Sequence, residues 1–405
     1  DRAFVPFYKG NPAQRDQVSL SINLVDTDGT RPPLDNGDVR FFRIARNRFG
    51  LDALVATPAG ADYSSNLLAL METLAGEYGT VFRSAEATFS VSSDRQSIMI
   101  ANDKTAATTA VVSLYGELVA RPTSVSTLAY VVLGEGEDPT SLELSRLRAR
   151  AEYVLSSLER EDTSAFAAPL DQRQTIALKE GLRLAFFEVA GNSIADASSF
   201  TLLQPTELDP GTIELSTAQG MVVRLIGQAS GEPPLLASFI ARDQGDQPLF
   251  NLCGLKPSDT LTGQLVLARE ANFNTDAGFY RIENAAGAVW DAVSGVLILP
   301  GEPGYAEAAL AQSVGSLSRL QIADGTSAVA EFSLPSEAFW LLAPFAVVQA
   351  DAMVNTYFAY DRANPDRRAH FRTLGDNIFA LEDQLGGGDN DFDDLVVGFR
   401  SLALA

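Results

Sequence analysis

Apolar and polar positions alternate along this chain in short runs, and a period of two recurs far more often than a helical one. Val18–Leu24, Ala87–Ser92, Ser97–Ile100 and Val111–Tyr115 carry the alternation expected of half-buried strands. Val39–Ile44, Leu128–Leu133, Leu182–Val189, Met221–Ile226, Leu235–Ile240, Leu261–Leu267, Gly278–Ile282, Val296–Leu299 and Phe345–Val348 add further short apolar or alternating segments. Gly, Pro, Asn and Asp separate them, as turns require. The pattern predicts a mainly β fold of serial β-sandwich or jelly-roll-like modules. A few short helices are expected, one of them capped by Ser64 or Ser65 and running through Leu67–Leu74.

One segment breaks the rhythm. Leu144, Leu147, Ala151, Val154 and Leu158 recur at steps of three and four, which predicts a longer amphipathic helix over Leu142–Leu158, with Asp138–Pro139 as its start and Arg148–Glu152 as an i,i+4 pair. Polar residues 159–174 then read as a linker. The expected domains are an N-terminal β module (1–135), the helix and linker (136–174), a middle β module (175–262) and a C-terminal β module (263–405). Aromatic strands recur at Val39–Ile44, Arg183–Val189 and Gly278–Ile282, and Pro58–Tyr63 and Pro300–Tyr305 each lead into a short apolar stretch. The uneven spacing suits related modules with different insertions better than a solenoid.

Composition narrows the function. A formal charge of −22 and a pI near 4.4 disfavour nucleic acid, whose phosphates need clustered Lys and Arg, and favour divalent cations. No run approaches the roughly 18 apolar residues of a membrane helix, so no membrane span is expected. No basic segment followed by an apolar core opens the sequence, so it is read as carrying no signal peptide, and its start at Asp suggests a mature form. Cys253 and His370 are single, so neither an internal disulfide nor a Cys/His zinc cluster can form, and no nucleophile elbow accompanies His370. The N-terminal strand at Val18–Leu24 reads as a first strand or as one donated to a neighbouring subunit. Asp26, Asp28, Asp35 and Asp38 form Asp/Asn/Gly clusters that read as turns and resemble half of a calcium loop.

The strongest chemical signal is Leu374–Phe399. Asp376, Glu382, Asp383, Asp389, Asp391, Asp393 and Asp394 lie there with no basic residue between Arg372 and Arg400, around Gly386–Gly388 and before the apolar run Leu395–Val397. Asp389, Asp391 and Asp393 have i, i+2, i+4 spacing, and the glycines permit a tight curl. Calcium takes six to eight oxygens at roughly 2.3–2.6 Å in flexible geometry, so all seven carboxylates are candidate Ca2+ ligands. The loop is no EF-hand: counted from Asp389, the sixth position is Asp394 rather than Gly and the twelfth is Arg400 rather than Glu.

Gly375–Phe379, Leu381–Asp389 and Asp391–Val397 resemble the signature of the domain-of-unknown-function family DUF4114, and so do Tyr357–Tyr360 with Ala363–Asp366, and Leu267–Phe273 leading into Gly278–Tyr280. The resemblance spans roughly the last 140 residues, departs at Asp393 where Asn is more usual, and implies a secreted or cell-surface bacterial protein. Together these readings lead to the expectation of a non-enzymatic, calcium-stabilised extracellular structural protein, a self-assembling subunit of a surface layer, sheath or filament whose partners are copies of itself. The alternative is a calcium-dependent adhesin for surface glycans or another cell. A glycoside hydrolase is a third, remote option.

Overall fold

The computed structural model describes residues 43–46, 52–55, 80–82, 89–100, 109–158, 172–179, 181–190, 193–195, 197–209, 211–227, 240–241, 246–252, 255, 260–338, 340–350 and 353–405. The Val18–Leu24 strand, the Asp26–Asp38 clusters, the Leu67–Leu74 helix and Cys253 lie outside these residues. Residues 44–405 belong to one unit.

In chain order the first strands are β1 (Arg43–Arg46), β2 (Asp52–Val55), β3 (Thr80–Phe82), β4 (Phe89–Val91), β5 (Ile98–Ile100), β6 (Thr109–Ala120) and β7 (Ser126–Leu133). Helix α1 (Leu144–Arg150) precedes β8 (Glu152–Ser157), β9 (Arg173–Lys179), β10 (Arg183–Ala190), β11 (Ser199–Leu202), β12 (Thr206–Asp209), β13 (Thr212–Ser216) and β14 (Val222–Gly227). One sheet runs β4-β5-β10-β7-β8 with β11 on β10, and a second runs β12-β13-β14-β6-β3 with β9 on β6. Ile98, Tyr130, Leu155 and Phe186 of the first meet Ile213, Leu215, Val223 and Leu225 of the second in one buried core. The fold is therefore mainly β, and this part is a sandwich. Strands from either side of residues 135 and 175 share both sheets, so the N-terminal and middle segments set apart in the sequence are interleaved here.

The outer face of the first sheet is covered too. Ala129, Val131, Ala185, Phe187 and Val189 pack beneath Leu147 of α1 and against Ile194 and Ala197. A strand buried on both faces loses its alternation and reads as a continuous apolar run. That explains the chief departure from expectation. The helix expected over Leu142–Leu158 is only the seven-residue α1, preceded by a separate 3-10 turn, Pro139–Ser141, capped by Asp138. Ala151 takes an extended conformation (φ −68°, ψ 139°), and from Glu152 the chain pairs with β7. Leu147, Ala151, Val154 and Leu158 are all buried, but in different elements, while Leu144 is exposed. Arg148 donates to the Ala197 carbonyl, in place of the expected pairing with Glu152. Arg173 and Gln174, assigned to the linker, belong to β9.

The second sandwich comprises β15 (Phe250–Asn251), β16 (Leu261–Arg269), β17 (Asn274–Ile282), the hairpin β18 (Val289–Asp291) and β19 (Val296–Ile298), helix α2 (Tyr305–Ala311), β20 (Thr326–Leu334), β21 (Leu341–Ala350), β22 (Met353–Phe358), β23 (Phe371–Gly375), β24 (Ile378–Leu381) and β25 (Leu395–Leu404). Its sheets are β15-β21-β17, with β22 on β21, and β20-β16-β25-β24-β23. Between them Phe399 stacks on Phe250 at 4.3 Å and meets Phe279 and Phe332 edge-on, both at 5.3 Å. Such aromatic pairs add to the burial that already favours the core. Helix α2 and the hairpin cover the opposite face of the β17–β21 sheet through Tyr305, Ala308, Val289 and Ile298.

The sandwiches meet along β8 and β23. Tyr153 donates to the Thr373 carbonyl at 2.7 Å, and Asp376 N–H donates to the Arg173 carbonyl at 2.6 Å. Gly375 lies so close to Arg173 that a Cβ there would stand 2.8 Å from its carbonyl oxygen.

Candidate metal centre

Strand β24 delivers the chain into Glu382 and Asp383, and β25 carries it away from Asp394. Between them the acidic loop curls back, and a parallel bridge between Leu381 and Asp393 ties its two limbs. The curl needs unusual backbone. Gly386, Gly387, Gly388, Asn390 and Phe392 all have positive φ, from 43° to 88°. Glycine and asparagine adopt this region readily, but phenylalanine does so at a cost. Phe392 is fully buried with Leu374, Ile378 and Val396, and the Arg372 guanidinium lies 4.5 Å from its ring, so packing holds the strained residue in place.

The curl gathers three carboxylates. Glu382, Asp389 and Asp391 each offer an oxygen within 4.8 Å of the others. Oxygens sharing an ion at roughly 2.3–2.6 Å can be no more than about 5 Å apart, so the group has the dimensions of a calcium shell. Glu382 is buried and oriented: its Oε1 accepts Gln384 N–H at 3.2 Å and its Oε2 accepts Asn390 N–H at 3.0 Å. Gly388 passes directly over this carboxylate, and any Cβ at that position would collide with Glu382 Oε1. Burial pushes the Glu382 carboxyl up to about 7, with the charges of Asp391 and Asp389 adding to the rise against the two backbone donors. Asp389 is exposed and Asp391 half-buried, so the cluster opens to solvent on their side. Three carboxylates, one of them buried, with backbone room above them suit a hard cation with oxygen preference.

His370 supports this loop from beneath. It is fully buried, stacks on Tyr357 at 3.7 Å, and donates from Nδ1 to the Glu382 carbonyl at 2.6 Å. Its Nε2 faces Asp366 Oδ2 at 3.1 Å, and that same oxygen accepts Gly386 N–H at 2.8 Å. The path His370–Asp366–Gly386 thus fixes the glycine turn. Asn364 holds the turn before it, accepting Phe358 N–H and donating to the Phe358 and Arg368 carbonyls.

The other four expected ligands are distributed differently. Asp383 points away from Glu382, as neighbours on an extended chain do. Its N–H donates to Asp394 Oδ2 at 2.7 Å and its Oδ2 accepts the Thr275 hydroxyl at 3.0 Å. Both residues are buried, and burial raises both carboxyls above the usual range; for Asp394 the Asp383 charge raises it further. Asp393 is buried beside them, its carbonyl accepting Glu270 N–H. Asp376 sits in the turn at the far end of β24, against Arg173, and the structure does not bring it to the cluster. In place of a single seven-carboxylate shell there are a triad, a buried pair with Asp393 next to it, and Asp376 elsewhere. Alternation along the two limbs could have divided Glu382 from Asp383 in advance. Nothing in sequence pointed to His370 or Thr275 as supports, since both lie on other strands or their margins.

Among the described residues no helix is long and apolar enough to cross a membrane. No curated protein and no solved structure matches the chain. The family model described as domain of unknown function (DUF4114) matches residues 335–401, which run from the turn before β21 to the middle of β25 and include the whole acidic loop. The match is shorter than the resemblance read from sequence, leaving out Leu267–Phe273 and Gly278–Tyr280. Residues 335–401 are thus similar to the DUF4114 domain, the family that their sequence resembles.

Proposed function

We propose that this protein is a calcium-stabilised, non-enzymatic extracellular structural protein, one whose copies associate into a layer, sheath or filament. The observation that carries the reading is the convergence of buried Glu382 with Asp389 and Asp391 beneath Gly388. Without a cation the three charges repel one another at the mouth of a packed sandwich, and calcium supplies the missing neutralisation where it is plentiful, outside the cell. The fully buried His370 is committed to holding the loop, which favours a structural role over a catalytic one.

Self-association is supported by β20. Among the described residues it is an edge strand, paired only to β16, and six consecutive residues, Thr326–Glu331, are exposed. Unpaired edge backbone is a template for another strand. Val329 is 46% exposed, and the strand carries a single charge, Glu331, and no Lys, Arg or Pro to blunt its edge.

Electron microscopy of the purified full chain with calcium and after chelation tests the reading. Ordered polymers in calcium that disperse on chelation are the expected result. Particles that stay monomeric in both conditions overturn assembly, and calcium-dependent glycan binding by such monomers selects adhesion instead.

A further inference from the structure

The carboxylates of Asp383 and Asp394 lie outside the triad, yet they are among the most deeply buried acids of the domain, at 1% and 5% exposure. One oxygen of Asp394 accepts the Asp383 N–H, and one of Asp383 accepts the Thr275 hydroxyl. The remaining Asp383 oxygen, Oδ1, is buried and has no hydrogen-bond partner. A buried carboxylate oxygen without a donor is costly, and a second buried carboxylate against it compounds the cost. No described Lys, Arg or His forms an ion pair with either residue. Arg269, the basic group whose charge bears most on Asp383, spends its Nη1 on the Ile322 carbonyl.

We propose that Asp383 and Asp394 hold a second divalent cation of the calcium class, distinct from the ion of the Glu382–Asp389–Asp391 triad. The orphaned Asp383 Oδ1 is its first ligand and Asp394 supplies the facing carboxylate. Hard cations complete such partial shells with water. Thr275, whose hydroxyl Asp383 accepts, also lines an open cleft of about 790 Å³ together with Arg269, Asn274 and Asp324. Consecutive residues Glu382 and Asp383 would then serve two ions on opposite sides of one strand. The inference rests on the reading of this loop as a calcium-holding one, but not on polymer formation.

Calorimetric titration of metal-stripped full-length protein with Ca2+ tests it. The Asp394→Asn variant is expected to bind one ion fewer than the wild type, and Asp389→Asn, which alters only the exposed member of the triad, likewise one fewer. The Asp394→Asn amide can still accept from Asp383 N–H while donating to Asp383 Oδ1, so the metal-free variant should melt no lower than the wild type; this separates lost binding from lost folding. An ion count unchanged by Asp394→Asn overturns the second site and leaves the pair to a shared proton. One ion in the wild type, abolished by either variant, overturns it in favour of a single joint shell. No calcium bound by the wild type removes the loop's reading as well.

Discussion

Glu137 and Glu382 are two glutamates in one acidic chain, and the fold treats them in opposite ways. Glu137 lies near the start of α1, where Arg150 grips both its oxygens, Nη1 to Oε1 at 2.6 Å and Nη2 to Oε2 at 2.8 Å, and Gly134 N–H donates to it at 2.9 Å. The Arg150 hydrogen bonds, with that of Gly134, hold its carboxyl down to about 2. Glu382 has two backbone donors but no base, and burial with two neighbouring aspartates pushes it up to about 7. The first charge is answered inside the protein. The second meets no base inside the protein, which is the condition that the proposed calcium would answer.

The largest expected effect comes from supplying that external charge. An ion binding only the folded state at a thousand times its dissociation constant stabilises by about 4 kcal/mol. For a domain of this size each kcal/mol moves the melting temperature by roughly 2–4 °C, so stripping calcium should lower the melting of the second sandwich by roughly 10 °C. The aromatic core reports this: near-ultraviolet circular dichroism of the Phe279, Phe379 and Phe399 cluster should track the calcium-sensitive transition. Equal melting curves with and without calcium would erase the distinction between the two glutamates.

The pH response sharpens it, because the two signs are opposed. The folded state binds the Glu382 proton more tightly than the unfolded chain does. Its contribution therefore favours the metal-free fold below the ordinary value of 4.5 and is lost as pH rises from there through about 7. The raised Asp383 and Asp394 carboxyls act in the same direction. Glu137 does the reverse: its contribution is present above 4.5 and lost as pH falls through about 2. Thermal melts of metal-stripped protein between roughly pH 4.5 and 8 should thus show stability falling with pH, and saturating calcium should flatten the slope. A slope that calcium leaves untouched would place the raised carboxyls outside the metal's reach.

How much of this was legible in sequence depends on how local each feature is. Strands with one buried face, such as β14, whose residues alternate between buried and half-buried, announced themselves by period. β8 did not, because Tyr153 faces one core while Val154 and Leu155 face another, and spacing alone cannot tell a doubly buried strand from one stripe of a helix. The acidic loop was visible because its carboxylates and glycines are contiguous. Alternation could have parted Glu382 from Asp383, but what holds each of them could not be read, since Thr275 and His370 arrive from elsewhere in the chain. Asp376 shows the converse: near the loop in sequence, it is separated from it by the length of β24.

The smallest expected effect is the control on the Glu137 side. Glu137→Gln keeps a side chain of the same shape, whose amide oxygen in the place of Oε2 can still accept from both Arg150 Nη2 and Gly134 N–H. It removes the charge that made the pair bidentate. The cost is limited because both partners are part-exposed, with 34% of the Arg150 side chain and 20% of that of Glu137 open to solvent, so water takes over much of what is lost. Pairs of this kind are worth up to about 1 kcal/mol. The variant should therefore melt at most a few degrees lower, and by the same amount in calcium as in chelator, because none of the charges acting on Glu137 belongs to the Glu382 loop. A loss that grows when calcium is removed would mean that the two regions share one electrostatic system after all, since the compensated glutamate would then be sensing the uncompensated one.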